Sequence, residues 1–299
     1  VDECALVPVT GGSVSAHTYR LRHAGQDLFV KEIKPNEARI LWILSALEIG
    51  IAPRVIYPEL LDRHILVSEF IHGGPAKAKR LDPQLIVGMA QLHNALNDEA
   101  LVRMKAPGVE FRVVRRERSD DGFYRRSIRR CAADGYEQLL RLRGYGLAIV
   151  DEWLGIADHL RGQLEDIADA FSTMPFAWLH HDFREGSILG EPQRLIDWGS
   201  SYGHGPFLFD LAPFLVNDPA GLDLFSSSSE ICVTASQAQI RTWLDAANSA
   251  CFFGYLLWRL ENPSLQGRFL GCPAWELPAA RLDAVLRYEI EPFGYLADL

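Results

Sequence analysis

The stretch His180 to Trp198, HHDFREGSILGEPQRLIDW, sets two aspartates fifteen positions apart around a strand-turn-strand pattern. Asp182 follows a His-His pair, Ser187-Ile188-Leu189 opens an apolar strand, Gly190-Glu191-Pro192 turns it, and Arg194-Leu195-Ile196 returns to Asp197. Such a hairpin brings two carboxylates together. Phosphoryl transfer needs one carboxylate to orient or deprotonate an acceptor hydroxyl and another to hold Mg²⁺ against nucleotide phosphates.

The segment resembles the catalytic loop and metal-binding strand of the aminoglycoside phosphotransferase and choline kinase superfamily, relatives of the protein kinases. The matching positions are His180, Asp182, Ile188, Leu189, Ile196, Asp197 and Trp198, with Ser187 where the family pattern has asparagine. Gly205 to Ala212, ending Asp-Leu-Ala, matches the next family element. The resemblance implies Asp182 as the base, Asp197 as the principal Mg²⁺ ligand, and Asp210 as a brace of the catalytic loop. Ser187 becomes a secondary ligand, shorter and weaker than the asparagine it replaces.

A phosphate-binding lysine is expected upstream on a strand, and Phe29-Val30-Lys31-Glu32-Ile33 alternates as one. Lys31 is the candidate. Gly11, Gly12 and Ser13 lie between two extended runs, Ala5 to Val9 and Thr18 to Leu21, as a hairpin over phosphates would; a plain turn reads the same way. Asn36 is expected to cap a helix reaching about Ile49, with Glu37 in its first turn. The resemblance pairs Lys31 with Glu37, although Glu37 also suits the helix's positive end. Arg54 to Tyr57 and His64 to Ile71 read as two more strands, and the backbone at Glu69 and Ile71 is the implied adenine-binding hinge.

Past His72-Gly73-Gly74-Pro75 the pattern turns helical: Asp82-Pro83 starts a helix carrying His93 as a packed residue. Further helices are predicted over 151–171, 236–260 and 278–288. The expected fold is α+β and bilobal, protein-kinase-like. Residues 1–72 form an N-terminal antiparallel sheet lobe with one helix, which binds nucleotide. Residues 73–299 form a mostly helical lobe with the catalytic loop and acceptor site.

Composition sets further bounds. The chain has 299 residues, 48% hydrophobic and 23% charged, enough for two cores. No apolar run reaches membrane-span length and no basic-then-apolar leader opens the sequence, so no membrane partner is expected. Five scattered cysteines without CxxC spacing fit a reducing cytoplasm. The net charge of −9 conceals a basic segment, Arg103 to Tyr145, with twelve Lys or Arg against six Asp or Glu. Arg125, Arg126, Arg129 and Arg130 there read either as a solvated helix face or as contacts to an anionic or carbonyl-rich acceptor. Overall acidity argues against nucleic acid.

The sequence thus predicts an ATP- or GTP-dependent, Mg²⁺-requiring phosphotransferase acting on a hydroxyl of a small molecule, an antibiotic or a metabolite. Two alternatives stand beside it. Serine at position 187 admits a weakened, regulatory nucleotide-binding pseudokinase, and His180, His181, Asp182, Asp197 and His204 could be read as a metallohydrolase cluster.

Overall fold

The computed structural model describes residues 5–9, 18–23, 25–73, 80–97, 121–144, 146–183, 185–200 and 203–261. Four strands, β1 (Ala5–Pro8), β2 (Thr18–His23), β3 (Gln26–Glu32) and β4 (Ile65–Glu69), form an antiparallel sheet in sequence order. Its register pairs Thr18 with Lys31, Arg20 with Phe29, and Lys31 with Leu66. Helix α1 (Pro35–Ala46) lies between β3 and β4 in the chain and buries Ile40, Leu41, Ile43 and Leu44. The rest is mainly helical: α2 (Pro83–Asn97), α3 (Asp121–Arg143), α4 (Ala148–Gly162), α5 (Leu164–Thr173), α6 (Ala212–Leu215), α7 (Pro219–Ser228) and α8 (Gln237–Glu261). Two short ladders interrupt it, β5 (Phe176–Leu179) with β8 (Gly203–Pro206) and β6 (Ile188–Leu189) with β7 (Arg194–Leu195). This is the α+β class the sequence predicts.

Two compact units account for the chain. One combines Val1–Arg115, Pro175–Asp210 and Asp218–Ala235, and the other Arg116–Met174, Leu211–Asn217 and Ser236–Leu299. The first carries the four-stranded sheet, α1, both short ladders, and α2 packed on α7. The second is a helical cluster in which α3, α5 and α6 pack on α8. The β6–β7 hairpin is tied to the N-terminal segment through the Leu195 N–H, which donates to the Ile51 carbonyl at 2.6 Å.

Several local expectations are corrected. Lys34, not Asn36, is the N-cap of α1: Pro35 takes the first helical position, where its missing N–H costs nothing. The helix stops at Ala46 rather than Ile49, and Glu48 just beyond it adopts the left-handed conformation (φ 56°). Arg54 to Tyr57 is not a strand. Val55 alone bridges Ser68, and Pro58 starts a 3₁₀ turn over Pro58–Arg63. The helix predicted over 151–171 is two helices broken at Gln163, directly after the weak helix former Gly162. The segment 278–288 lies outside the described residues.

Candidate active site

Lys31 is the centre of the arrangement. Its Nζ lies 2.9 Å from Glu37 Oε1 and 3.0 Å from Asp197 Oδ1, so the strand lysine, the first-turn glutamate of α1 and the aspartate beyond β7 meet at one point. The six-residue separation of Lys31 and Glu37 suffices because β3 ends at Glu32 and α1 begins at Pro35, folding the helix start back onto the lysine. Burial opposes the Lys31 charge, yet the two carboxylates outweigh it and raise the ammonium's pKa above its ordinary value. Burial pushes Glu37 upward and Lys31 pulls it down. We take the pair as ionised, since a lysine facing two carboxylates has every reason to keep its proton.

Glu37 is 4% exposed, and its Oε2 faces Gly199, where an added Cβ would stand only 3.3 Å away. Asp197, by contrast, has a half-exposed side chain. Its φ of 61° turns the chain sharply after β7, and the Trp198 indole N–H closes that turn on the Leu195 carbonyl at 2.8 Å. Left-handed backbone at a non-glycine residue costs about 1–3 kcal/mol and persists where surrounding contacts fix it.

Asp182 sits on a loop whose geometry is set from behind. The Asp210 carboxylate accepts the backbone N–H groups of His180, in a very short contact, and of His181 at 3.0 Å. His181 is thereby held at φ 65°, immediately before Asp182. Burial pushes the Asp210 pKa up to about 7, against the lowering effect of those two N–H groups. The bracing role that the family resemblance implies for Asp210 thus has a physical basis.

His180 joins the two aspartate segments. Fully buried, its Nε2 lies 2.9 Å from the carbonyl of Ile196, the residue before Asp197, and its Nδ1 lies 3.3 Å from the backbone N–H of Asp182. These partners assign the neutral tautomer with the proton on Nε2. Burial lowers its pKa to about 4, and Trp198 packs edge-on at 4.7 Å. The motif marks His180 only as a matching position; this bridging depends on contacts sixteen residues apart. With both ring nitrogens engaged by backbone, His180 is no metal ligand. Among the described residues no group of three or more His, Cys, Asp or Glu side chains suits a metal ion; the side chain of His204 lies outside them.

The remaining candidates fall as follows. Ser187 ends a 3₁₀ turn, is 1% exposed, and accepts the Ile196 N–H on its carbonyl at 2.8 Å. The Glu69 N–H donates to the Arg54 carbonyl at 2.9 Å, and Glu69 Oε1 accepts the Arg54 N–H at 3.0 Å. Ile71 packs against Gly190 in the β6–β7 turn; a Cβ there would stand 2.5 Å from Ile71 Cγ2, and φ is 75°, so glycine is required twice over. Gly11, Gly12 and Ser13 lie outside the described residues, as does the side chain of Arg125. Arg126 is exposed on α3. Arg129 makes a two-pronged ion pair with Glu165, and Arg130 pairs with Asp134 at 3.2 Å. Those carboxylate partners are what a solvated, self-neutralising helix face provides.

Sequence reasoning missed Gln193 altogether. Buried at 5% exposure, it exchanges two hydrogen bonds with Asp82 and donates to the Arg80 carbonyl, fastening the β6–β7 hairpin to the start of α2. Asp82 therefore spends its carboxylate on Gln193. A lone glutamine beside a turn proline carries no periodic signal that would reveal this.

A family model described as "phosphotransferase enzyme family" matches residues 6–244. No curated protein matches the chain in sequence. Among solved structures, a spectinomycin phosphotransferase in complex with ADP and spectinomycin is similar with a TM-score of 0.53 at 15% identity, covering 99% of this chain and 92% of that one. The GDP complex of aminoglycoside 2'-phosphotransferase-IIIa is similar with a TM-score of 0.51 at 12% identity, covering 98% and 92%.

Proposed function

We propose, from the premise that this chain belongs to the phosphotransferase enzyme family and is a kinase-like O-phosphotransferase, that it moves the terminal phosphate of ATP or GTP to a hydroxyl of a small molecule. The observation that carries this reading is Lys31 held between buried Glu37 and half-exposed Asp197. A cation anchored on one side and facing a solvent-accessible carboxylate on the other is built to meet phosphate oxygens.

In this reading residues 1–72 hold the nucleotide, with Gly11, Gly12 and Ser13 over the phosphates and the backbone at Glu69 and Ile71 along the base. Residues 73–299 supply the catalytic loop and the acceptor site. Asp182 orients the acceptor hydroxyl and takes its proton, while Asp210 and His180 hold that loop in place. The hard oxygen donors here, a half-exposed carboxylate at Asp197 and a hydroxyl at Ser187, fit Mg²⁺ rather than a softer metal. When bound, Mg²⁺ supplies charge neutralisation at the phosphates.

The ligands in the two solved neighbours, ADP with spectinomycin and GDP, name the first nucleotides and one acceptor to try; other hydroxylated antibiotics and metabolites complete the panel. No helix among the described residues is long and apolar enough to cross a membrane. A cytoplasmic substrate pool is proposed from the five scattered cysteines without CxxC spacing. The pseudokinase alternative draws no support from the family match.

Nucleotide consumption across the acceptor panel tests the assignment. Asp182→Asn is expected to keep nucleotide binding and lose turnover by roughly 10²-fold or more. Asp197→Ala is expected to abolish Mg²⁺-dependent tightening of nucleotide binding. Wild-type protein that binds nucleotide yet transfers phosphate to no acceptor would overturn the enzyme reading.

A further inference from the structure

The face of the sheet that presents Lys31 carries a second feature, one pleat step away. Side chains alternate along a strand, so Lys31, Phe29 and Asp27 of β3 share a face, as do their partners Thr18, Arg20 and Arg22 of β2. Phe70 extends that face past β4, since its N–H bonds to the Asp27 carbonyl at 3.2 Å. Arg20 stands opposite Phe29, which lies about 7 Å along the strand from Lys31.

The Arg20 guanidinium is fixed from two directions. Its Nη2 pairs with Asp27 Oδ2 at 2.5 Å. Its Cζ lies over the Phe70 ring, 5.0 Å from the centroid. Asp27 is further held by Arg22 Nε at 3.4 Å, and the His72 ring packs edge-on against Phe70 at 5.1 Å. The result is a flat, delocalised cation, 36% exposed, with one face on an aromatic ring. Nothing in the phosphotransferase chemistry requires this: among its described partners Arg20 contacts neither Lys31 nor Asp182 nor Asp197.

We propose that Arg20, presented by Asp27 and Phe70, is the stacking platform for the base of the phosphate donor. The idea rests on the donor reading above, and the geometry carries it in three steps. The platform shares a face and a strand neighbourhood with the phosphate-binding lysine, so a nucleotide anchored at Lys31 has its base over this part of the sheet. A planar guanidinium with Phe70 on one side accepts another flat ring on its open side, which an ammonium group does not. Stacking reads the π-face rather than the hydrogen-bonding edge, so adenine and guanine are both accepted.

Calorimetric titration of the full chain with ADP, GDP and base-free tripolyphosphate tests the proposal, using wild type, Arg20→Ala and Arg20→Lys. Arg20→Ala is expected to weaken ADP and GDP each by roughly tenfold and leave tripolyphosphate unchanged. Arg20→Lys keeps a cationic partner for Asp27 and so protects the fold, yet is expected to recover little affinity because it has no flat face. Both diphosphates binding at wild-type strength in both variants would overturn the platform while leaving the phosphotransferase reading intact. So would an equal loss for tripolyphosphate, which assigns Arg20 to phosphate, or a loss confined to one base, which assigns it to edge recognition. If wild-type protein binds neither ADP nor GDP, the donor reading fails and the platform with it.

Discussion

Replacing Asp210 with asparagine tests how the candidate catalytic loop is held. The carboxylate accepts two buried backbone N–H groups, those of His180 and His181. Asparagine offers one carbonyl oxygen and turns an NH₂ group toward the other donor. One buried N–H loses its acceptor, at a cost of about 1–3 kcal/mol, and we take about 2 kcal/mol as the expected loss. At a urea slope of about 3 kcal/mol per molar, the unfolding midpoint near pH 4, where the folded wild-type group is neutral and carries no buried-charge cost, falls by up to roughly 0.7 M.

The pH dependence is more specific. Asp210 keeps its proton in the folded chain up to about pH 7, against 3.8 for the ordinary group. Its contribution to stability is therefore complete below 3.8 and lost as pH rises through about 7. His180 behaves oppositely: its folded pKa is lowered to about 4 from 6.5, so its contribution is complete above 6.5 and lost as pH falls through about 4. In wild type the two slopes offset each other between about pH 4 and 6.5. Asp210→Asn removes one and exposes the other, so urea midpoints measured from pH 7.5 to 4.5 should fall off more steeply in the variant. Parallel curves, or an unchanged midpoint near pH 4, would refute this account of the brace.

Three further outcomes are expected. Gly199→Ala places a Cβ 3.3 Å from Glu37 Oε2, and the resulting shift of a few tenths of an ångström should weaken nucleotide binding by roughly tenfold or less with little change in melting temperature; unchanged affinity would show that Glu37 has room to spare. Ser187→Asn should lower the Mg²⁺ concentration needed for half-maximal rate and Ser187→Ala should raise it, whereas equal requirements in both would remove Ser187 from the metal site. Arg129→Gln and Arg130→Gln should leave the acceptor's KM unchanged, given their partners Glu165 and Asp134, and a tenfold rise in either would restore this segment to acceptor recognition.

Much of the candidate site's layout was legible in one dimension. Asp182, Asp197 and Asp210 were singled out by their places in a motif that resembles a known family's. Lys31 was legible because period-2 alternation identifies its strand, and four of the five extended runs read from the sequence form the sheet in order. Boundaries were less secure. Lys34 and Gln163 bound helices through the backbone effects of a neighbouring proline and glycine, and Arg54 to Tyr57 meets β4 in a single bridge before Pro58 starts a turn. What the sequence by itself determined was which side chains could do phosphate and metal chemistry. Tertiary structure alone decided which of them meet. Lys31 reaches Asp197 across 166 positions, and Gln193 reaches Asp82 across 111. It also decided that buried His180 is a neutral strut and that Arg129 and Arg130 are spent on carboxylates. Such pairings arise when distant segments bury polar groups together. A buried donor or acceptor must find a partner wherever the packed chain provides one, and local sequence does not record where that is.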